Sequence, residues 1–219
     1  MLAIAVLSFL VSSLVGGLTA AAIGLPGIGP NVTPTQLAIV GLAQAATLTG
    51  LALVLLARST GLGPRDLGAG RRPRAAIALA VGAALWIVAE VVSHLQEALL
   101  GPTPQLQTTI DVGHVSAANL AIEVVVDGAL IGVAEELFFR AILFALFRQH
   151  MSFTRAALLS SVLFAATHGL GSFLPVLLVG LGLAALYERG RSLWTNALAH
   201  ATFNSITALV IYVFTNRAG

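Results

Sequence analysis

Long apolar runs, separated by short polar segments, make up most of the chain. A helix needs about 20 apolar residues to cross the hydrocarbon core of a bilayer. The pattern predicts spanning helices at Leu2–Ile23, Gln36–Ala57, Ala75–His94, Ala117–Phe147, Ala156–Gly169, Phe173–Tyr187 and Trp194–Phe214. We therefore expect an all-α fold, a polytopic transmembrane helical bundle of about seven spanning helices, with six to eight as the range.

The fourth run is too long for one straight helix perpendicular to the membrane. We expect a tilted or interrupted helix over residues 117–147. Its outer part is predicted to be amphipathic, because Glu123 and Asp127 share a helix face four residues apart. The expected role of these two carboxylates is to line an outer interface or to pack within the bundle.

Three connecting segments carry most of the positive charge. Because basic loops stay on the cytoplasmic side of a membrane, these segments are predicted to be cytoplasmic and to orient every helix. Nine of the eleven arginines lie in them, at residues 58–74, 148–155 and 188–192.

Composition agrees with a membrane protein. The chain has 219 residues, of which 58% are hydrophobic and 9% charged, whereas about a quarter of a soluble domain is charged. We expect residues 1–219 to form a single integral membrane domain embedded in the lipid bilayer. Topology explains the arginines, so no nucleic-acid partner is expected. The absence of lysine and the alanine- and arginine-rich sequence are typical of a GC-rich microbial genome, which indicates the plasma (inner) membrane of a prokaryote. The absence of cysteine excludes disulfides, thiolate metal sites and cysteine nucleophiles.

Polar side chains recur at helical spacing in three of the last four apolar runs. Charged groups in hydrocarbon are costly and usually functional. Their depths, counted at ~1.5 Å per residue from the arginine-rich loops, overlap. One polar cavity, reached from the cytoplasmic side, is therefore predicted to hold them all. The residues are Glu135, Glu136, Arg140, Phe164, His168, His200 and Asn204.

This set of groups suits hydrolysis. A carboxylate and an imidazole that share a water can take its proton and direct its oxygen, and we assign this to Glu135 and His168. A second imidazole and a carboxamide on one helix face can donate to a developing oxyanion, and His200 and Asn204 fit that role.

The remaining charged residues are predicted to pair internally. Glu136 and Arg140 share a helix face, and an ion pair between them would lower the cost of burying each charge. The only cofactor that the set suits is zinc, since Glu135, His168 and His200 are residues that can ligate it. The same residues also suit a reaction without metal, and the sequence leaves both possibilities open.

The motifs Glu135-Glu136-x-x-x-Arg140, Phe164-x-x-x-His168 and His200-x-x-x-Asn204, in this order, resemble those of the CPBP family. That family includes the type II CAAX prenyl endopeptidases and the bacterial Abi or bacteriocin-processing membrane proteins. The resemblance covers about Leu130–Ser205, within a predicted catalytic core of residues 116–214; residues 1–115 match only in being hydrophobic.

The resemblance implies an intramembrane endopeptidase that cuts a membrane peptide or protein. It further implies that Glu135 with His168 activates water, while His200 and Asn204 stabilise the oxyanion. Whether a metal takes part stays open.

Other readings of these residues remain. A non-catalytic scaffold or bacteriocin-immunity protein of the same family would keep the fold without cleaving peptides. A proton-coupled transporter would use the carboxylates and histidines as a relay. Transporters of that class usually show inverted repeats, and the first half of this chain has no matching polar set. His200 and Asn204 would also serve as hydrogen-bonding contacts between helices. The peptidase is the leading hypothesis.

Overall fold

The fold is a bundle of helices. The computed structural model describes residues 2–25, 33–58, 67–101 and 116–217, and within these ranges it contains seven helices and no strand. They are α1 (Leu2–Ala22), α2 (Pro34–Arg58), α3 (Ala75–Leu100), α4 (residues 117–150), α5 (Phe153–Ala166), α6 (Phe173–Gly190) and α7 (Leu193–Arg217). The all-α bundle and the helix count predicted from the sequence are confirmed.

Several of these helices suit a bilayer. In the part of the chain that the structure describes, four segments are long and apolar enough to cross a membrane: Thr35–Val54, Ala75–Leu100, Phe173–Gly190 and Leu193–Asn216. The apolar stretches of α1 and α5, Leu10–Ala22 and Phe153–Ala166, are shorter. The chain is an integral membrane protein.

The long helix α4 has an irregular hydrogen-bonding pattern. It is continuous, but Glu123–Ile131 and Glu136–Phe144 form π-helical segments on either side of the short α-helical segment Gly132–Glu135. π-helical segments are rare and often lie at functional sites. The interruption predicted from the length of this run is therefore a change in helical winding, and Glu135 and Glu136 lie at one of its junctions.

Some predicted boundaries were wrong. The third span was predicted to end at His94, before the acidic residue Glu97, but α3 continues to Leu100. The helix ends only at Gly101, whose φ of 86° is left-handed and whose N–H donates to Glu97 O. A glycine adopts this conformation at no steric cost, so it stops the helix where the acidic residue did not.

Parts of three predicted loops lie outside the described residues. These are residues 26–32, residues 59–66 with Arg65 and Asp66, and residues 102–115 with His114.

The inner half of α4 forms the centre of the hydrophobic core. Residues 138–147 are all buried and pack against α2, α5 and α6. Phe144, for example, makes edge-to-face contacts with Phe153 of α5 and Tyr187 of α6. The outer half differs, because Val125 and Leu130 expose 56% and 52% of their surface.

The three arginine-bearing segments meet at one end of the bundle, which we call the arginine end. Arg148 at the end of α4 forms an ion pair of 2.9 Å with Glu188 of α6. Arg71, before α3, donates from Nη1 to Gly190 O at 3.1 Å. The arginine end therefore comprises residues 67–74, 148–155 and 188–192.

Gly82 of α3 sits where α3 crosses α7. A Cβ at this position would collide with Ala199 O and come within 2.7 Å of Thr202 Cβ. We expect Gly82→Ala to lower the free energy of unfolding by roughly 1–3 kcal/mol through overpacking, despite the higher helix propensity of alanine. The comparison is Gly50→Ala in α2, where a Cβ would meet nothing within 4 Å. Thermal unfolding of both variants in detergent measures the difference, and equal midpoints would contradict the close crossing.

Candidate active site

Glu136 is the most completely enclosed ionisable group of the site. Its side chain is 0% exposed, and both carboxylate oxygens have partners. Oε1 accepts from Arg140 Nη1 at 2.8 Å and lies 2.9 Å from His200 Nδ1. Oε2 accepts from Asn196 Nδ2 at 2.9 Å. A buried carboxylate requires this number of donors, because each unpaired lone pair would carry a desolvation cost.

Helical spacing and small residues explain how these groups meet. Glu136 and Arg140 are four apart on α4, as are Asn196 and His200 on α7, so each pair lies on one face. Gly132 and Gly128 of α4 line the crossing with α7. A Cβ at Gly132 would lie 3.7 Å from His200 Cγ. Small residues at such crossings let the helices approach closely enough for polar side chains to bond across them.

His200 lies between the two adjacent glutamates. Its Nδ1 faces Glu136, as described, and its Nε2 lies 3.6 Å from Glu135 Oε2. Because Glu136 is paired with Arg140, it is a charged acceptor, and the hydrogen of this contact belongs to Nδ1. The distance to Glu135 is too long for a direct hydrogen bond. Nε2 therefore faces a carboxylate without being bonded to it.

Phe164 of α5 is the aromatic centre around which the site is packed. The Arg140 guanidinium carbon lies 4.2 Å from the ring centroid, a cation–π distance. The rings of His168 and His200 lie 4.7 and 5.8 Å from it, both edge-to-face. One buried side chain thus contacts residues of all three motifs and restricts the orientation of both imidazoles.

His168 follows the end of α5 and is half-buried. Its Nδ1 lies 3.0 Å from Phe164 O and 2.8 Å from Thr167 Oγ1. Thr167 Oγ1 itself donates to Phe164 O at 2.7 Å. A carbonyl only accepts, so Nδ1 carries the hydrogen and Nε2 keeps its lone pair. Within the described residues the ion-pair partner of Glu135 is His200, and its pairing with His168 stays a prediction.

Asn204 and Asp127 complete the polar group. Asn204 Nδ2 donates to the main-chain oxygen of Asp127 at 3.3 Å. This contact places the main chain of Asp127 beside the site. The sequence suggested an outer interface or bundle packing for the Asp127 side chain, and that role stays a prediction.

Comparison with known families matches the part of the chain that holds this geometry. Residues 117–206, from the start of α4 into α7, match the family of type II CAAX prenyl endopeptidases described as Rce1-like. This match supports an assignment of residues 117–206 to the CPBP family. The resemblance that the three motifs indicated is thereby confirmed. The matched family is one of peptidases, which supports peptidase activity for this chain. Searches of curated proteins and of solved structures found no match.

The side chains of this site do not form a zinc-binding set. Catalytic zinc in hydrolases is held by three protein ligands, with water at the fourth position. In the described portion of the chain, no three His, Asp or Glu side chains are grouped to hold a metal ion. Glu135, His168 and His200 therefore do not form the ligand set that the sequence allowed. His200 Nδ1 is in addition committed to Glu136.

Asn196 was missed by sequence reasoning. Its Nδ2 donates to Glu136 Oε2 at 2.9 Å and to Leu183 O at 2.8 Å. Both partners only accept, so the amide nitrogen must face them. The signal was in the spacing, because Asn196, His200 and Asn204 follow one another at intervals of four on one face of α7. Only His200 and Asn204 entered the prediction.

Replacing Asn196 by aspartate should destabilise the protein. Asn196→Asp turns a double donor into an acceptor that faces the Glu136 carboxylate and the Leu183 carbonyl. We expect the free energy of unfolding to fall by at least ~2 kcal/mol. The matched control is Asn119→Asp in the first turn of α4, where added negative charge is favourable. Unfolding in detergent compares the two, and the Glu136 arrangement is wrong if both variants match the unsubstituted protein.

Proposed function

We propose that this chain is an intramembrane endopeptidase that hydrolyses a peptide bond of a membrane-associated substrate. In this proposal Glu135 and His168 activate a water, and His200 and Asn204 bind the oxyanion. The observation that carries it is the position of His200, 2.9 Å from Glu136 and 3.6 Å from Glu135. A carboxylate and an imidazole from different helices thus face one another inside the bundle.

The two adjacent glutamates differ in the number of carboxylate lone pairs that remain free for hydrogen bonding. Glu136 is enclosed by Arg140, Asn196 and His200, so its lone pairs are occupied. Glu135 makes no hydrogen bond within the described residues, and its side chain is 13% exposed. A general base needs a free lone pair within reach of a water. This contrast favours Glu135 as the base and Glu136 as the residue that holds His200.

His168 is suited to share the same water. Its Nδ1 hydrogen is used on Phe164 O, which leaves the Nε2 lone pair free to accept a hydrogen bond. With one water hydrogen directed to Glu135 and the other to His168, the water oxygen is oriented toward the substrate carbonyl. Positioning of this kind lowers the activation free energy, because the entropy cost of orienting the water is met before the reaction.

Hydrolysis then follows in two steps. Glu135 takes a proton from the water as its oxygen bonds to the carbonyl carbon, and the carbonyl π electrons move to the oxygen. The protonated Glu135 next delivers that proton to the amide nitrogen. The C–N bond breaks, the carbonyl re-forms and Glu135 returns to the carboxylate, so protons and electrons balance.

The oxyanion is bound by His200 and Asn204. Because the Nδ1 hydrogen of His200 is held by Glu136, donation to an oxyanion must come from a hydrogen on Nε2. His200 therefore binds the oxyanion in its doubly protonated form, with Glu136 balancing the charge. Asn204 adds its second amide hydrogen, since the first goes to Asp127 O. Fixed donors in a water-poor site stabilise developing charge strongly.

Replacing the proposed base should abolish cleavage without unfolding the protein. Glu135→Gln keeps the shape but loses the proton acceptor, and we expect cleavage to fall by about 10²–10⁴-fold or more. The assay follows cleavage of a membrane peptide library by the purified protein in vesicles. The matched control is Glu90→Gln in α3. Unchanged cleavage by Glu135→Gln would remove this mechanism, whereas an intact protein that cleaves nothing would support a scaffold.

The same assay tests metal dependence. Because the donor set does not form a zinc site, we expect a chelator to leave cleavage unchanged. Loss of cleavage that returns when zinc is added would overturn this expectation.

Removing the amide of Asn204 should slow the chemical step. We expect Asn204→Ala to lower kcat by about 10²–10³-fold with KM little changed, because the lost interaction forms in the transition state. Asn216→Ala serves as control, since Asn216 lies on the same helix and donates to Tyr212 O one turn back. An effect of Asn204→Ala on KM alone would place the residue in substrate binding instead.

A further inference from the structure

The two directions along α4 from the glutamate pair differ in packing. Toward the arginine end, residues 138–147 are all buried, and they form one core with α2, α5 and α6. Phe138, Phe139 and Phe144 are among the most completely enclosed side chains. A packed layer of this kind, which we call the floor, has no space for water or peptide. It lies between the site and the arginine end.

Away from the arginine end, polar groups continue. Asp127 and Glu123 follow from Glu135 along α4, and both are half-buried. Asn204 lies beside Asp127 on the C-terminal side of His200 on α7. Val125 lies in the same part of α4 but on a different side of the helix, and 56% of this residue is exposed. The outer half of α4 thus has an apolar surface for lipid and a separate polar face that leads to the site.

The polar face of α4 can be assigned to one side of the membrane. Basic segments remain cytoplasmic, and three of them are joined at the arginine end. We infer that the site opens to the non-cytoplasmic side, along the polar face of α4 that carries Glu123 and Asp127. This is the reverse of the cytoplasmic access that the sequence predicted. That prediction used the depths of the polar residues in the membrane and did not include the packed floor.

What this inference implies for the substrate rests on the proposed function. If the site is a peptidase, its substrate reaches it from the non-cytoplasmic face of the membrane. Such a substrate is a peptide segment of an exported or membrane-anchored protein. A prenylated tail formed in the cytoplasm would meet the floor instead of the opening.

Single-cysteine labelling tests the inference directly, because the chain contains no native cysteine. Four variants report on four environments: Glu123→Cys on the polar face, Val125→Cys on the lipid surface, Ser161→Cys in the buried part of α5 that faces Gly180 and that we count with the floor, and Arg155→Cys at the arginine end. Intact bacterial cells that express each variant are treated with a membrane-impermeant maleimide, before and after permeabilisation. Total thiol is measured after denaturation in detergent, which corrects for expression. The reagent requires thiolate, which forms in water and not in lipid or a packed core.

We expect Glu123→Cys to be labelled in intact cells. Val125→Cys, two residues away and at similar depth, should be labelled in neither condition. Arg155→Cys should be labelled only after permeabilisation, and Ser161, which is buried, should give a cysteine that reacts only after denaturation.

Three outcomes would overturn the inference. Labelling of Glu123→Cys only after permeabilisation would place the opening on the cytoplasmic side. Equal labelling of Glu123→Cys and Val125→Cys would show that α4 has no separate polar face. Labelling of Ser161→Cys in permeabilised cells would show that water enters the floor. None of these readouts depends on cleavage, so failure of the inference and failure of the peptidase proposal are distinguishable.

Discussion

The enclosure of one carboxylate, Glu136, is the constraint on which the rest of the structure depends. Its charge lies where neither water nor lipid headgroups reach, so the chain must supply every donor. Arg140 comes from the same helix, whereas Asn196 and His200 come from α7. Breaking a buried pair by removing one partner costs about 3–5 kcal/mol, because an uncompensated charge remains. The carboxylate therefore fixes the register of α7 against α4 and, with it, the orientation of the His200 imidazole.

The same constraint explains why two glutamates stand side by side. One carboxylate cannot both hold an imidazole rigidly and keep a free lone pair for a water. Neighbouring helical positions point about 100° apart, so Glu136 faces α7 while Glu135 faces a less enclosed space. The change from α-helical to π-helical winding at this junction adjusts that angle. A site on rigid helices gains precision in this way, since the supporting residue positions the reacting one.

Sequence reasoning reached the parts of this site that depend on spacing within one helix. Glu136 with Arg140 is such a pair, and so is His200 with Asn204. Contacts between helices follow from packing, which spacing does not determine: His200 bonds Glu136, and the Phe164 ring touches both imidazoles. The helix count was predictable because apolar length decides it. The end of α3 was not predictable in this way, because the helix continues past the charged residue Glu97 and ends at Gly101. Asn196 was visible in the four-residue spacing and was overlooked.

One-sided access also follows from what hydrolysis inside a membrane requires. The reaction consumes water, yet a continuous water path through the bundle would let protons and ions cross the bilayer. The phenylalanine-rich floor and the Glu136–Arg140 ion pair meet both demands, because both are buried and tightly packed. Polar residues that are able to bind water, Asp127 and Asn204, lie on the other side of the glutamates. In the proposed mechanism, the side on which water enters is thus set by the same burial that holds the proposed catalytic residues in place.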